Sequence, residues 1–196
     1  KFQFLYKKGH NFVQGENALP IFETFTKTYS DLIKPYQGDI LNSKWDKKTP
    51  ISILFIDLSK TMFINDHLIR EFFPALVPGS IVVQQDFLFF RNPWLYPTMK
   101  SLSNSIELLS YTDEHSVIFG VNKTPTQHEL ESCLSENLSP SKTIDAIKFY
   151  RAKFTDMRQT EMIDALLEVF MKNPQASKAW EFSNPSHIKY SFEDSE

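Results

Sequence analysis

The chain has 196 residues, a mass of 22.9 kDa, a formal net charge of −3 and a pI near 6.0, which points away from a dedicated nucleic-acid binder. Its 41% hydrophobic and 23% charged content predicts a folded chain with a substantial core rather than a disordered one. Only five glycines occur, at Gly9, Gly15, Gly38, Gly79 and Gly120, and no two lie closer than six positions. Neither a G-x-G-x-x-G dinucleotide loop nor a G-x-x-x-x-G-K-[ST] phosphate loop fits that spacing.

The lone cysteine, Cys133, has no partner for an intramolecular disulfide and gives no zinc spacing, which favours a reducing, cytoplasmic setting. No apolar run approaches the roughly 18 residues of a membrane span; the longest, Ile51 to Leu58, has the length of a strand. The sequence opens on Lys1 in mid-pattern without a signal-like segment, so a truncated or processed start is expected.

Residues 1–20 are mixed. Glu16 to Tyr29 places Leu19, Ile21, Phe22, Phe25 and Tyr29 on an amphipathic helical stripe, with Pro20 tolerated in its first turn. Leu32 to Gln37 reads as a short strand stopped by Gly38-Asp39, and Lys44 to Pro50 as a loop. Ile51 to Ile56 predicts a strand covered on both faces. Asn65 is expected to cap a helix with apolar positions Leu68, Ile69, Phe72, Phe73 and Leu76, ended by Pro78-Gly79. Ile81-Val82-Val83 then begins a second strand, completing a right-handed βαβ unit.

Pro93 opens a helix over Trp94 to Ser103. Ile106 to Tyr111 and Val117 to Val121 predict an antiparallel hairpin through Thr112-Asp113-Glu114-His115. Helical stretches follow at Gln127 to Leu134, Thr143 to Phe154 and Thr160 to Met171, with a weaker one at Ala176 to Phe182. This divides the chain into an α/β domain over residues 1–122 and a helical extension over 123–196.

In open α/β sheets, ligands bind beyond the carboxyl ends of parallel strands. Asp57 and Asp86 end the two strongest strands, so both are expected on one rim, where paired carboxylates can hold a divalent cation or orient a proton. Helix capping and loop solvation are the competing roles. Asp39 ends the earlier strand and reads as a turn residue when taken alone. Lys60 is a candidate base or anion contact beside Asp57, and His67 a weaker one. His10, His115, His128 and His187 show no metal-ligand spacing, and Ser59 and Ser80 lack a nucleophile-elbow context. Trp94 and Tyr96 are candidates for lining a pocket or for packing.

Gly38-Asp39, the strand ending in Phe55-Ile56-Asp57, and Phe72-Phe73-Pro74-Ala75-Leu76-Val77-Pro78-Gly79 leading into Ile81-Val82-Val83-Gln84-Gln85-Asp86 together carry a resemblance. This order resembles the later half of a class I S-adenosylmethionine-dependent methyltransferase, closest to the macrocin O-methyltransferase-like group, over about Gln37 to Val121. The resemblance implies a partial doubly wound, Rossmann-like sheet, mostly parallel with a C-terminal antiparallel hairpin, followed by the helical extension. It implies O-methyl transfer from S-adenosylmethionine to a small-molecule or sugar hydroxyl. Asp39 would match the acid touching the adenine, Asp57 the catalytic acid beside donor and metal, and Asp86 a second metal acid.

Two departures stand out. Ser59 and Gln85 replace acids of the metal-dependent group, so two carboxylates remain where four are usual, too few to hold Mg²⁺ well. The first strand, the glycine-rich loop and the ribose-binding acid have no match. The Ile51 to Ile56 strand is therefore expected to expose an apolar edge, to be covered by a missing N-terminal segment or by another copy in a homo-oligomer. A catalytically silent interaction domain is the competing function.

Overall fold

The structure is a computed structural model in which residues 18–112 and 114–186 are described. Lys1 to Asn17, which include His10, lie outside them, as do Asp113 of the expected hairpin connection and His187. The chain forms two compact units, Lys1–Ser43 with Ser191–Glu196, and Lys44–Tyr190.

In the first unit, helix α1 (Leu19–Thr26) carries Pro20 in its first turn and runs into a 3₁₀ turn at Lys27–Tyr29. The strand expected over Leu32 to Gln37 is absent. Residues 33–37 have no regular structure, and Leu32 and Tyr36 are 84% and 85% exposed. An extended segment becomes a strand only when another pairs with it, and Pro35 removes one of the donors it would need.

The second unit is α/β, built on a four-stranded sheet of order β1-β2-β4-β3: β1 (Ile51–Ile56), β2 (Leu76–Gln84), β3 (Ile106–Tyr111) and β4 (Val117–Val121). β1 and β2 are parallel, joined by helix α2 (Met62–Glu71), as the βαβ reading requires. β2 pairs antiparallel with β4, and β4 antiparallel with β3. The sheet is therefore mixed, which corrects the mostly parallel expectation. Parallel pairing needs a crossover; one helical crossover gives one parallel pair, and the β3–β4 hairpin contributes antiparallel pairs.

Two local expectations change with it. α2 starts earlier than predicted, capped by the Thr61 hydroxyl, which accepts from the Ile64 N–H at 3.1 Å. Asn65 lies inside the helix, buried, with its amide donating to Thr98 Oγ1 at 2.9 Å. Pro78-Gly79 does not end the helix but sits within β2. The register runs Ile51↔Leu76 and then Ile53↔Ile81, so β2 spends three extra residues there. Gly79 has φ +90°, a conformation that only glycine adopts without strain.

Among the described residues β1 lies at the edge of the sheet, and its burial corrects the expectation of cover on both faces: Ile53 and Phe55 are 68% and 57% exposed. The core lies against the other face. There Phe87 stacks on Tyr96 at 4.4 Å and meets the edges of Phe119 and Tyr150 at 5.3 and 5.1 Å. Tyr96 comes from helix α3 (Leu95–Ser101) and Tyr150 from helix α5 (Pro140–Arg151). Short helix α4 (Gln127–Ser132) begins with a complete capping box of Thr126 and Glu129, and α6 (Met157–Lys172) buries Ile163, Ala165, Leu166, Val169 and Phe170. The last expected helix is reduced to a 3₁₀ turn at Ala179–Glu181. Among the described residues, no helix is long and apolar enough to cross a membrane.

Candidate functional site

Parallel pairing of β1 and β2 in the register Ile56↔Gln84 sends both strands out at one end of the sheet. Asp57 leaves β1 directly, and Asp86 follows β2 in a turn held by Gln85 N donating to Ile56 O at 3.0 Å and by Phe89 N donating to Asp86 O at 3.1 Å. Their carboxylates meet through a cation. The Lys60 ammonium donates to Asp86 Oδ2 and lies 3.6 Å from Asp57 Oδ1. Asp86 is the sheltered partner, with its side chain 15% exposed, against 50% for Asp57 and 39% for Lys60.

The connection between β3 and β4 reaches the same end of the sheet, because Val117 pairs with Gln84. Thr112 N donates to Ser116 O at 2.9 Å, and Leu88 N donates to His115 O at 3.1 Å, tying this connection to the turn after β2. The His115 ring meets Phe89 at 5.5 Å with its Nδ1 buried and unpartnered. Burial lowers its pKa; Glu114 opposes that shift, whereas Arg158 and Lys60 reinforce it.

The other sequence candidates are placed elsewhere. Asp39 belongs to the first unit, where its carboxylate accepts from Leu41 N at 3.0 Å and caps the 3₁₀ turn Ile40–Asn42. Trp94 and Tyr96 are fully buried core residues. The Ser80 hydroxyl is used inside the β2 bulge. Of the two positions where the resemblance expects acids, Ser59 is buried with an unpartnered hydroxyl, and Gln85 is half-buried. His67 is half-buried beside Phe72, and His128 is exposed. Cys133 is buried; burial pushes its thiol pKa up to about 12, so it is a protonated packing group at neutral pH.

Among the described residues, no group of three or more His, Cys, Asp or Glu side chains is placed to hold a metal ion. The rim itself is a poor fit to a divalent cation, because its two carboxylates already share an ammonium and Mg²⁺ needs a shell of oxygens. A nucleotide-type donor fits no better on the described residues alone. Their glycines stand apart, Gly38 before the Asp39 turn, Gly79 in the β2 bulge and Gly120 within β4 under Leu109. None forms a backbone cradle. What the rim can do is hold a polar group against an ammonium flanked by two acids.

The contacts that build the rim include a segment that sequence reasoning missed. The stretch from Asn173 to Asn184 runs beside the loop after β1: Thr61 bridges Lys178, Met62 N donates to Ser177 O at 2.9 Å, and Ala179 N donates to Lys60 O at 2.9 Å. Comparison with protein-family models, with curated proteins and with solved structures finds no match to this chain.

Proposed function

We propose that the second unit is the later half of a Rossmann-like, class I S-adenosylmethionine-dependent methyltransferase domain, which in the full-length protein methylates a small-molecule or sugar hydroxyl. The observation that carries this reading is the convergence of Asp57, Lys60 and Asp86 at the exit of the only parallel strand pair described. A ligand-binding rim is expected at that place in such a sheet. The antiparallel hairpin beyond β2 suits the terminal part of the same architecture.

In this reading the donor is held by residues outside the described rim, and no divalent metal is needed. S-adenosylmethionine would supply the methyl group. Lys60 would donate a hydrogen bond to the acceptor oxygen and orient it, Asp57 would accept the proton that this oxygen loses as it takes the methyl group, and Asp86 would fix the ammonium. The buried thiol of Cys133 suits a cytoplasmic setting, and nucleic acid and membrane are not expected as partners.

A second reading is favoured by the bare side chains of Ile53 and Phe55 on the β1 edge: a silent interaction domain whose edge pairs with an N-terminal segment or with a second copy. Calorimetric titration with S-adenosylmethionine separates the two. Heat from an N-terminally extended form but not from this chain supports the first; no heat from either leaves the interaction reading.

A further inference from the structure

We infer that the segment Asn173 to Asn184 and the Trp94 indole together are the positioning elements of the rim, the segment placing Lys60 through the Ala179 N–H and the indole through the Ser59 carbonyl. The loop from Asp57 to Thr61 has almost no regular structure of its own, so its course depends on what grips its backbone. Three of those grips come from outside the βαβ unit. The Trp94 indole Nε1 donates to Ser59 O at 2.9 Å, Ala179 N donates to Lys60 O at 2.9 Å, and Met62 N donates to Ser177 O at 2.9 Å. They hold positions 59, 60 and 62, so the Lys60 Cα is fixed from both sides. The reach of its side chain to Asp86 and Asp57 follows from that fixed point.

The segment also carries hydrogen bonds of its own. The Glu181 carboxylate accepts from Ser177 N at 2.8 Å and Lys178 N at 3.1 Å, and the Asn173 amide donates to Glu181 O at 3.2 Å. Its far end reaches the turn after β2, where Arg91 donates to Asn184 Oδ1 at 2.7 Å, and Phe182 lies 6.4 Å from the Trp94 ring. It therefore splices the loop bearing Asp57 and Lys60 to the loop that follows Asp86. Released from it, Lys60 leaves the acid pair and the two carboxylates face each other without a shared cation. This concerns the geometry of the rim and stands whether or not the rim transfers a methyl group.

The substitution Ala179→Pro tests it at one hydrogen bond. Ala179 opens a 3₁₀ turn and Lys178 is extended, at φ −133° and ψ 140°, so a proline is tolerated by the local backbone. Its ring removes the N–H and puts a carbon against the Lys60 carbonyl. Limiting acetylation with acetic anhydride, read residue by residue by mass spectrometry, reports the freedom of the ammonium, with exposed Lys48 as internal reference. The Lys60 to Lys48 ratio is expected to rise roughly fivefold, the population change given by loss of one ordinary hydrogen bond.

Should Ala179→Pro fail to melt cooperatively, Trp94→Phe, which removes the indole donor and keeps an aromatic ring, is expected to move the ratio in the same direction. A wild-type ratio in Ala179→Pro alongside faster exchange of the Met62 amide overturns the inference, as does a wild-type ratio in Trp94→Phe. A uniform rise over all lysines, meaning general loosening, also overturns it.

Discussion

The Ser80 hydroxyl donates to the Ile51 carbonyl at 2.6 Å while its oxygen accepts the Val77 N–H at 2.9 Å. One buried side chain thus closes the bulge that Pro78 and Gly79 open in β2 and satisfies two backbone groups that the broken ladder leaves over. Ser80→Ala removes both partnerships at a site 1% exposed. The expected cost is about 2 kcal/mol, read as a lower urea midpoint with an unchanged denaturant slope.

Phe87 joins β2 to the helices. It is fully buried and lies within 5.3 Å, ring to ring, of Tyr96, Phe119 and Tyr150. Phe87→Ala is expected to destabilise the second unit by roughly 3–5 kcal/mol, enough to unfold a marginal domain at 37 °C. Thermal unfolding followed by near-UV circular dichroism measures it.

His115 gives the unit a sensitivity to mild acid. Burial lowers its pKa in the folded chain, so the unfolded chain binds the proton more readily and stability falls as pH drops. The loss begins near the ordinary histidine value of about 6.5 and continues through the lowered folded value. His115→Gln is expected to flatten the melting temperature between about pH 7 and pH 5, a range above most carboxylate titration. An unaltered slope would remove His115 as its source.

Lys60→Met leaves Asp57 and Asp86 on one rim without their ammonium. Because Lys60 and Asp57 are partly exposed, the expected loss at pH 7 is only on the order of 1 kcal/mol. Matched urea denaturation curves of the two proteins at pH 7 measure it.

The β1 edge has no charged residue to discourage pairing with another chain. Ile53→Lys places one on its exposed face and is expected to lower self-association without loss of stability, since Ile53 is 68% exposed. Sedimentation velocity over a concentration series, beside urea denaturation, separates the two effects.

The strands Ile51–Ile56, Ile106–Tyr111 and Val117–Val121 were legible residue for residue, because each is a β-rich run bounded by turn formers. β2 was legible only from Ile81 onward. Pro78-Gly79 carries the same local signal whether it stops a helix or bulges a strand, and the deciding contact, Ser80 to Ile51, is nonlocal. Thr61 and Asn65 are both good caps; burial of Asn65 against Thr98 decided between them. At the rim, Asp57 and Asp86 could be read from strand ends, whereas the sharing of Lys60 between them depends on the parallel register. The grip of Ser177 and Ala179 on Lys60 and Met62 was invisible, since it uses backbone groups that leave no mark in side-chain pattern.

The order β1-β2-β4-β3 also sets a timetable. The last strand made is the one that belongs between two earlier ones, so β3 has no sheet neighbour until β4 emerges behind it. Before then β2 pairs only with β1, and its second edge is open. A nascent chain paused between Tyr111 and Val117 carries a two-stranded ribbon and an orphan strand, the stage at which a chaperone holding apolar strands has most to do. Residues 117–121 close the sheet in one step, and mutations there are expected to slow folding more than their burial alone suggests.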